Sequence, residues 1–199
     1  MKRKLLLRGL VLLAFATAEM AFSAAQVAPA EKAARDAKNP AFQAFAQNVN
    51  RYEQLRSQLD KQLLPLKPSA DQQQLLVREQ ALAAKIVDAR KGAKRGEIFT
   101  DEVSAEFRTR IRGAFSGPEG REVHKTVRQG EPLNLQVRVN EVYPASLPAT
   151  TVPPTLLEEL PKLPSDLEYR IAGDDFVLQD VKARLVIDFI SGALPESGR

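Results

Sequence analysis

Apolar residues at Phe42, Phe45, Val49, Tyr52, Leu55, Leu59 and Leu63 recur in steps of three and four. That period puts them on one stripe of an amphipathic helix. Asn39 is placed to cap its start and Pro40 to occupy the first helical position, while Pro65 and Pro68 end it. Ser69-Ala70-Asp71-Gln72 has the spacing of a capping box and predicts a second helix there. Its apolar face runs through Leu75, Leu76, Leu82, Ile86, Val87 and Ala89, and it ends by Gly92 or Gly96. Two such helices joined by a short Pro-bounded turn predict an antiparallel helical hairpin. A third helix follows from Thr100 as cap, Asp101 and Glu102 in the first turn, and Val103, Phe107, Ile111 and Phe115 at a step of four. Ser116-Gly117-Pro118 breaks it, and a short fourth helix through Val123 and Val127 is expected to end near Gly130.

The period then shortens to two. Leu133, Leu135, Val137 and Val139 alternate with polar residues and predict a half-buried strand. Residues 144–154 carry four prolines and no charge, a stiff extended connection, and Pro154 starts a short helix over 155–160. Leu167, Tyr169 and Ile171 alternate, Gly173-Asp174 supplies a turn, and Phe176 to Leu178 continues after it. Ala183, Leu185, Ile187 and Phe189 alternate again through Ile190. Helices first and strands later give an α+β class: a helical hairpin with further short helices, then a small antiparallel sheet of three or four strands.

The first residues follow another plan. Lys2, Arg3, Lys4 and Arg8 precede an uncharged apolar stretch from Gly9 to Ala18, and Ala16-Thr17-Ala18 and Ser23-Ala24-Ala25 both have the spacing of a cleavage site. This is the three-part organisation of a secretory signal peptide, too short to span a bilayer, with Glu19 just beyond it. The expected organisation is a signal peptide over 1–25, cut after Ala18 or Ala25, and a flexible, Ala-rich leader over 26–38. A helical region over 39–130 and a small β-rich region over 131–195 follow. The chain has no Cys, which excludes a lipidated cysteine, a disulfide framework and a thiolate metal site. The expected location is the periplasm or the exterior, with membrane contact only through the signal peptide if it stays uncleaved.

Export changes the reading of charge. The precursor carries +4, but four of its 29 cations and one of its 25 acids fall within residues 1–25, so the remainder is close to neutral. Nucleic acid is therefore not expected as a partner, because phosphate binding needs a clustered positive surface. Residues 78–138 hold 13 Lys and Arg against nine acids, whereas residues 139–199 hold five against 10. Ordinary solvated faces, mutual attraction of the two halves and a partner surface all fit that bias.

Candidate chemistry is sparse. His124, the single histidine, lies beside Lys125 and close to Glu122 and is read as a surface residue. One His and no Cys leave no familiar zinc set. Asp174 and Asp175 fall in the expected hairpin turn, where aspartate suits the backbone. Asp180 ends a strand, and Asp188, between Ile187 and Phe189, is expected on the wet face of the last one. Arg90, Lys91, Lys94 and Arg95 cluster where the second helix ends and are read as completing its dipole, with an anionic polymer or headgroup as the alternative. Arg108, Arg110 and Arg112 are spread around the helix axis. No phosphate loop, nucleophile elbow, metalloprotease, calcium-loop or dinucleotide motif is present. No catalytic, cofactor-binding or metal-ligating residue is assigned, and no cofactor is expected.

The segments Gly96-Glu97-Ile98-Phe99-Thr100, Leu167-Glu168-Tyr169-Arg170-Ile171-Ala172-Gly173 and Leu185-Val186-Ile187-Asp188-Phe189-Ile190 resemble segments of uncharacterised secreted bacterial proteins. The resemblance spans most of residues 40–195 and implies a bacterial exported protein, with no activity attached. The helical hairpin is also similar in architecture to periplasmic helical chaperones, a likeness that does not carry function. The expected function is a non-enzymatic binding or structural protein whose partner is an unknown protein or envelope component, in an oligomeric state the sequence leaves open. A chaperone-like or envelope-stress protein is the first alternative, with Phe42, Phe45 and Tyr52 cradling clients. A hydrolase using Asp174, Asp175, Asp180 and Asp188 is the second.

Overall fold

The computed structural model describes residue 32 and residues 36–67, 71–116, 136–143 and 150–195. The expected signal peptide, most of the 26–38 leader, the helix through Val123 and Val127, His124, Leu133, Leu135 and residues 144–149 lie outside the described residues. The chain divides into two compact units, Met1–Lys38 and Asn39–Arg199. In the first, Lys32 and residues 36–38 are helical, and Lys32 Nζ meets Asp36 Oδ2 at 3.1 Å.

The second unit is α+β. Helix α1 spans Pro40–Asp60, α2 spans Gln72–Ala89 and α3 spans Asp101–Ser116. Asn39 caps α1, its Oδ1 accepting from the Ala41 and Phe42 amides at 2.9 and 3.4 Å. Asn39→Ala removes this acceptor and is expected to cost about 1 kcal/mol, read as a lower urea midpoint at unchanged slope. The α1 stripe buries Phe42, Phe45, Val49, Tyr52 and also Arg56. Helix α2 starts from Asp71, whose side chain accepts from the Gln74 amide, so its cap lies two residues beyond the Ser69 expected from the capping-box spacing.

Helix α2 runs antiparallel to α1. Arg78, near its start, pairs with Asp60 at the end of α1, while Arg90, just past its end, lies over the Tyr52 ring. Only Leu82 and Ile86 of α2 are fully buried; Leu75, expected on the buried face, is exposed. Thr100 caps α3 through Oγ1, and Val103, Phe107, Ile111 and Phe115 are all buried.

The strands are β1 (Thr150–Thr151), β2 (Leu167–Ala172), β3 (Asp175–Asp180) and β4 (Leu185–Ile190), antiparallel neighbours in that order. Gly173, at φ 60°, takes the left-handed conformation that the tight β2–β3 turn requires. The four-residue helix α4, Pro154–Leu157, follows β1 and is shorter than the expected 155–160.

The strand expected over 133–140 is not formed by residues 136–140. Residues 139–140 turn instead, with Asn140 at φ 64°. The chain then runs along the free edge of β4 through the Val142–Leu185 bridge, with the Asn140 amide on the Val186 carbonyl and the Tyr143 amide on the Arg184 carbonyl.

The helices cover one face of the sheet. Between them lies a cluster of rings in which Phe107 meets Phe45 and Phe99 at centroid distances of 5.0 and 5.2 Å, and Tyr169 meets Phe176 at 5.2 Å. On the other face Tyr143 packs with Ala172, Val177 and Val186, joined by the partly buried Val137 and Phe189. Cover on both faces explains why β3 and β4 are buried almost throughout, unlike a sheet with one wet face.

Candidate functional site

Between helices and sheet lies a seam of polar side chains, built around two aspartates of zero exposure, Asp180 and Asp188. A break in the ladder sets the orientation of the second. In the β3–β4 register Leu178 faces Asp188 and Gln179 faces Val186, which leaves Ile187 without a partner. This extra residue is a β-bulge, and it reverses the side on which the following residues point. Asp188 thereby falls on the Leu178 side, in the main core, while Phe189 joins Val177 on the opposite face. The expectation of a wet-face Asp188 is corrected: strict alternation failed at one inserted residue.

Asp188 is enclosed by backbone donors. Its Oδ2 accepts from the Ile98 and Phe99 amides at 2.8 and 2.9 Å. Its Oδ1 accepts from the Gly96 amide at 2.9 Å and from the Phe189 amide at 2.8 Å. Gly96, at φ 93°, turns the 96–99 loop around the carboxylate. A carboxylate taking several N–H bonds in a dry site is a strong, charge-assisted anchor.

Arg90 serves the same bulge. Its Nη2 donates to the Ile187 carbonyl at 3.1 Å, and its Nη1 to Asn140 Oδ1 at 3.1 Å. Asn140 returns a bond from Nδ2 to the Arg90 carbonyl at 2.6 Å. Arg90 also reaches Glu97 Oε2 at 3.3 Å and lies 5.3 Å from the Tyr52 ring centroid. It is therefore a buried bolt as well as the residue that ends α2. The rest of the basic run has separate surroundings: Lys91 pairs with Asp88, and Arg95 stacks on Phe189 at 5.5 Å.

Tyr52 links the seam to Asp180. Its hydroxyl donates to Asp180 Oδ2 at 2.7 Å, and Arg56 Nε donates to the same oxygen at 2.6 Å. The other oxygen accepts from the Ala183 amide at 2.8 Å. Arg56 Nη1 also pairs with Asp166 Oδ2 at 2.7 Å, and Lys182 Nζ with Asp166 Oδ1 at 2.9 Å. Burial pushes the Tyr52 phenol far above its ordinary range, and the adjoining Asp180 adds to the effect. Burial opposes the Arg56 charge, but Asp180 and Asp166 outweigh it and hold the guanidinium above its usual value.

Glu53, the next residue on α1, borders this cluster. Its Oε1 is buried with no hydrogen-bond partner among the described residues. Burial pushes its carboxyl above the ordinary range, against the opposing pull of Arg56.

The four aspartates weighed as a catalytic set do not converge. Asp175 and Asp180 stand at opposite ends of β3. Asp174 is exposed in the turn, and Asp175 accepts from the Gly192 amide at 2.9 Å. No group of three or more acidic or histidine side chains among the described residues is placed to hold a metal ion. Phe42, Phe45 and Tyr52 are buried core, so they offer no surface to a client. Arg108 binds the Ser191 and Gly192 carbonyls, Arg110 pairs with Glu106 and Glu159, and Arg112 reaches Thr109.

Arg56, Asn140 and Asp166 were not singled out from sequence, and Tyr52 was read there as an apolar-stripe or client-contact residue rather than as a hydrogen-bond donor to Asp180. One signal was present: Arg56 falls four residues after Tyr52, on the apolar stripe, where a cation needs a buried partner. No helix among the described residues is long and apolar enough to cross a membrane. No family model, curated protein or solved structure matches the chain.

Proposed function

We propose that the chain is an exported, periplasmic or secreted, binding or structural protein without enzymatic turnover. The observation that carries this reading is the use of its two fully buried carboxylates: every oxygen of Asp180 and Asp188 accepts a hydrogen bond from the protein, and three of the four are held by another element. An acid or base must instead face a substrate. The signal-peptide pattern over residues 1–25 supports export. Leu64, at 87 % exposure, Leu66, Leu75 and Val77 stand out of the core and are the residues proposed to meet a partner.

The full chain expressed in a bacterial host is expected in the periplasm or medium with a new N-terminus at Glu19 or Gln26. An intact leader on cytoplasmic protein overturns the export reading. The purified chain is expected to leave generic ester, phosphomonoester, glycoside and peptide substrates unchanged. Turnover that follows the protein through purification and is lost in Glu53→Gln overturns the non-enzymatic reading.

A further inference from the structure

We propose that Glu53 is a proton-operated latch on the junction between α1 and the sheet, closed when its carboxyl is protonated and loosened when it ionises. The case begins with a balance of charge. Four other charged groups act on Glu53: Arg56 from α1, Asp166 from the entry to β2, Asp180 from the end of β3, and Lys182 from the β3–β4 turn. The two cations and two carboxylates are joined by the Arg56–Asp180, Arg56–Asp166 and Lys182–Asp166 pairs and cancel. A protonated Glu53 preserves that balance, and an ionised one adds a third negative charge.

The position of Glu53 makes the extra charge costly. Its Oε1 is shielded from solvent and lacks a protein donor among the described residues, so an anion there loses water without gaining a hydrogen bond. Burial accordingly favours the protonated form. The sign follows: a carboxyl that binds its proton more tightly in the folded chain adds stability at low pH, and that stability is lost as pH rises through its folded titration.

The least constrained member of the cluster is Lys182, whose side chain is 60 % exposed. An ionised Glu53 competes with Asp166 for Lys182 and for Arg56. Asp166 and Asp180 in turn hold the β3–β4 turn: the Val181 amide donates to the Asp166 carbonyl at 2.9 Å, and the Ala183 amide donates to Asp180 Oδ1. Weakening the grip of Arg56 and Lys182 on these aspartates releases that turn first.

The test is amide hydrogen exchange on the full chain across the pH range in which the Glu53 carboxyl ionises, corrected for the pH dependence of intrinsic exchange. In the wild type, opening at the Val181 and Ala183 amides is expected to rise severalfold across that range, while amides in α3 stay level. Glu53→Gln, nearly isosteric and always neutral, is expected to abolish the rise. The wild-type Tm is expected to fall by about 1–3 °C over the same range and the variant's to stay level, a small change because the site is only partly buried. An equal rise in wild type and variant overturns the latch. Should Glu53→Gln fail to fold, the carboxyl resonance of Glu53 in the wild type decides. A midpoint above that of an ordinary glutamate supports the latch, and one at or below it overturns it.

Discussion

Asp188→Asn is expected to lower the stability of the folded chain by about 2–4 kcal/mol, the largest effect of any single-atom change in the seam. The carboxylate presents two acceptor oxygens to four amides: Gly96 and Phe189 on one, Ile98 and Phe99 on the other. An asparagine presents one oxygen and one NH2. Its NH2 meets amides that also donate: in one orientation the Ile98 and Phe99 amides lose their acceptor, in the other the Phe189 amide does while Gly96 keeps the second oxygen at 3.2 Å, and either way the charge that strengthened the rest is gone. Asp188→Ala strips all four and is expected to leave little folded protein. Urea unfolding of the two variants against wild type measures the effect. A loss under about 1 kcal/mol for Asp188→Asn, no more than one ordinary hydrogen bond, contradicts the anchoring role.

Arg56→Ala has a comparable expected effect for another reason. It leaves Asp180, at zero exposure, with a hydroxyl and one amide but no cation, and it releases Asp166 as well. Breaking one side of a buried pair in this way costs about 3–5 kcal/mol. Arg56→Lys is expected to recover only part of the loss, because one ammonium does not reproduce the separate Nε and Nη1 contacts to two carboxylates. Combining Arg56→Ala with Asp180→Asn is expected to cost less than the sum of the two single changes. Full additivity in that cycle indicates that the groups act independently.

The parts of this fold that depend on local period were legible in the sequence. The stripe from Phe42 to Tyr52, the series Val103, Phe107, Ile111 and Phe115, and the Gly173 turn all lie where a period of 3.6 or a left-handed residue puts them. What was not legible is non-local. Nothing in Leu185–Ile190 read alone announces that Ile187 is extra, because the bulge is a relation to β3; without it Asp188 counts outward. Arg90 looks like one cation in a basic run until the Ile187 carbonyl is left free for it. The segment after Leu135 alternates convincingly, yet the chain turns at Asn140, which bonds the Val186 carbonyl through its amide and clamps Arg90 through its side chain. Gly96–Thr100 and Leu185–Ile190, far apart in sequence, are the two halves of the Asp188 cradle.

The cradle also sets an order of events for folding. Gly96, Ile98 and Phe99 wait for an acceptor 92, 90 and 89 residues further along the chain, and Tyr52 and Arg56 for one 128 and 124 residues away. Helices α1 and α3 have local hydrogen bonds to begin with, whereas the Gly96, Ile98 and Phe99 amides find their acceptor only on β4. Closure over such distances is slow relative to helix formation. The Asp188 contacts therefore close only after β4 has been added to the chain.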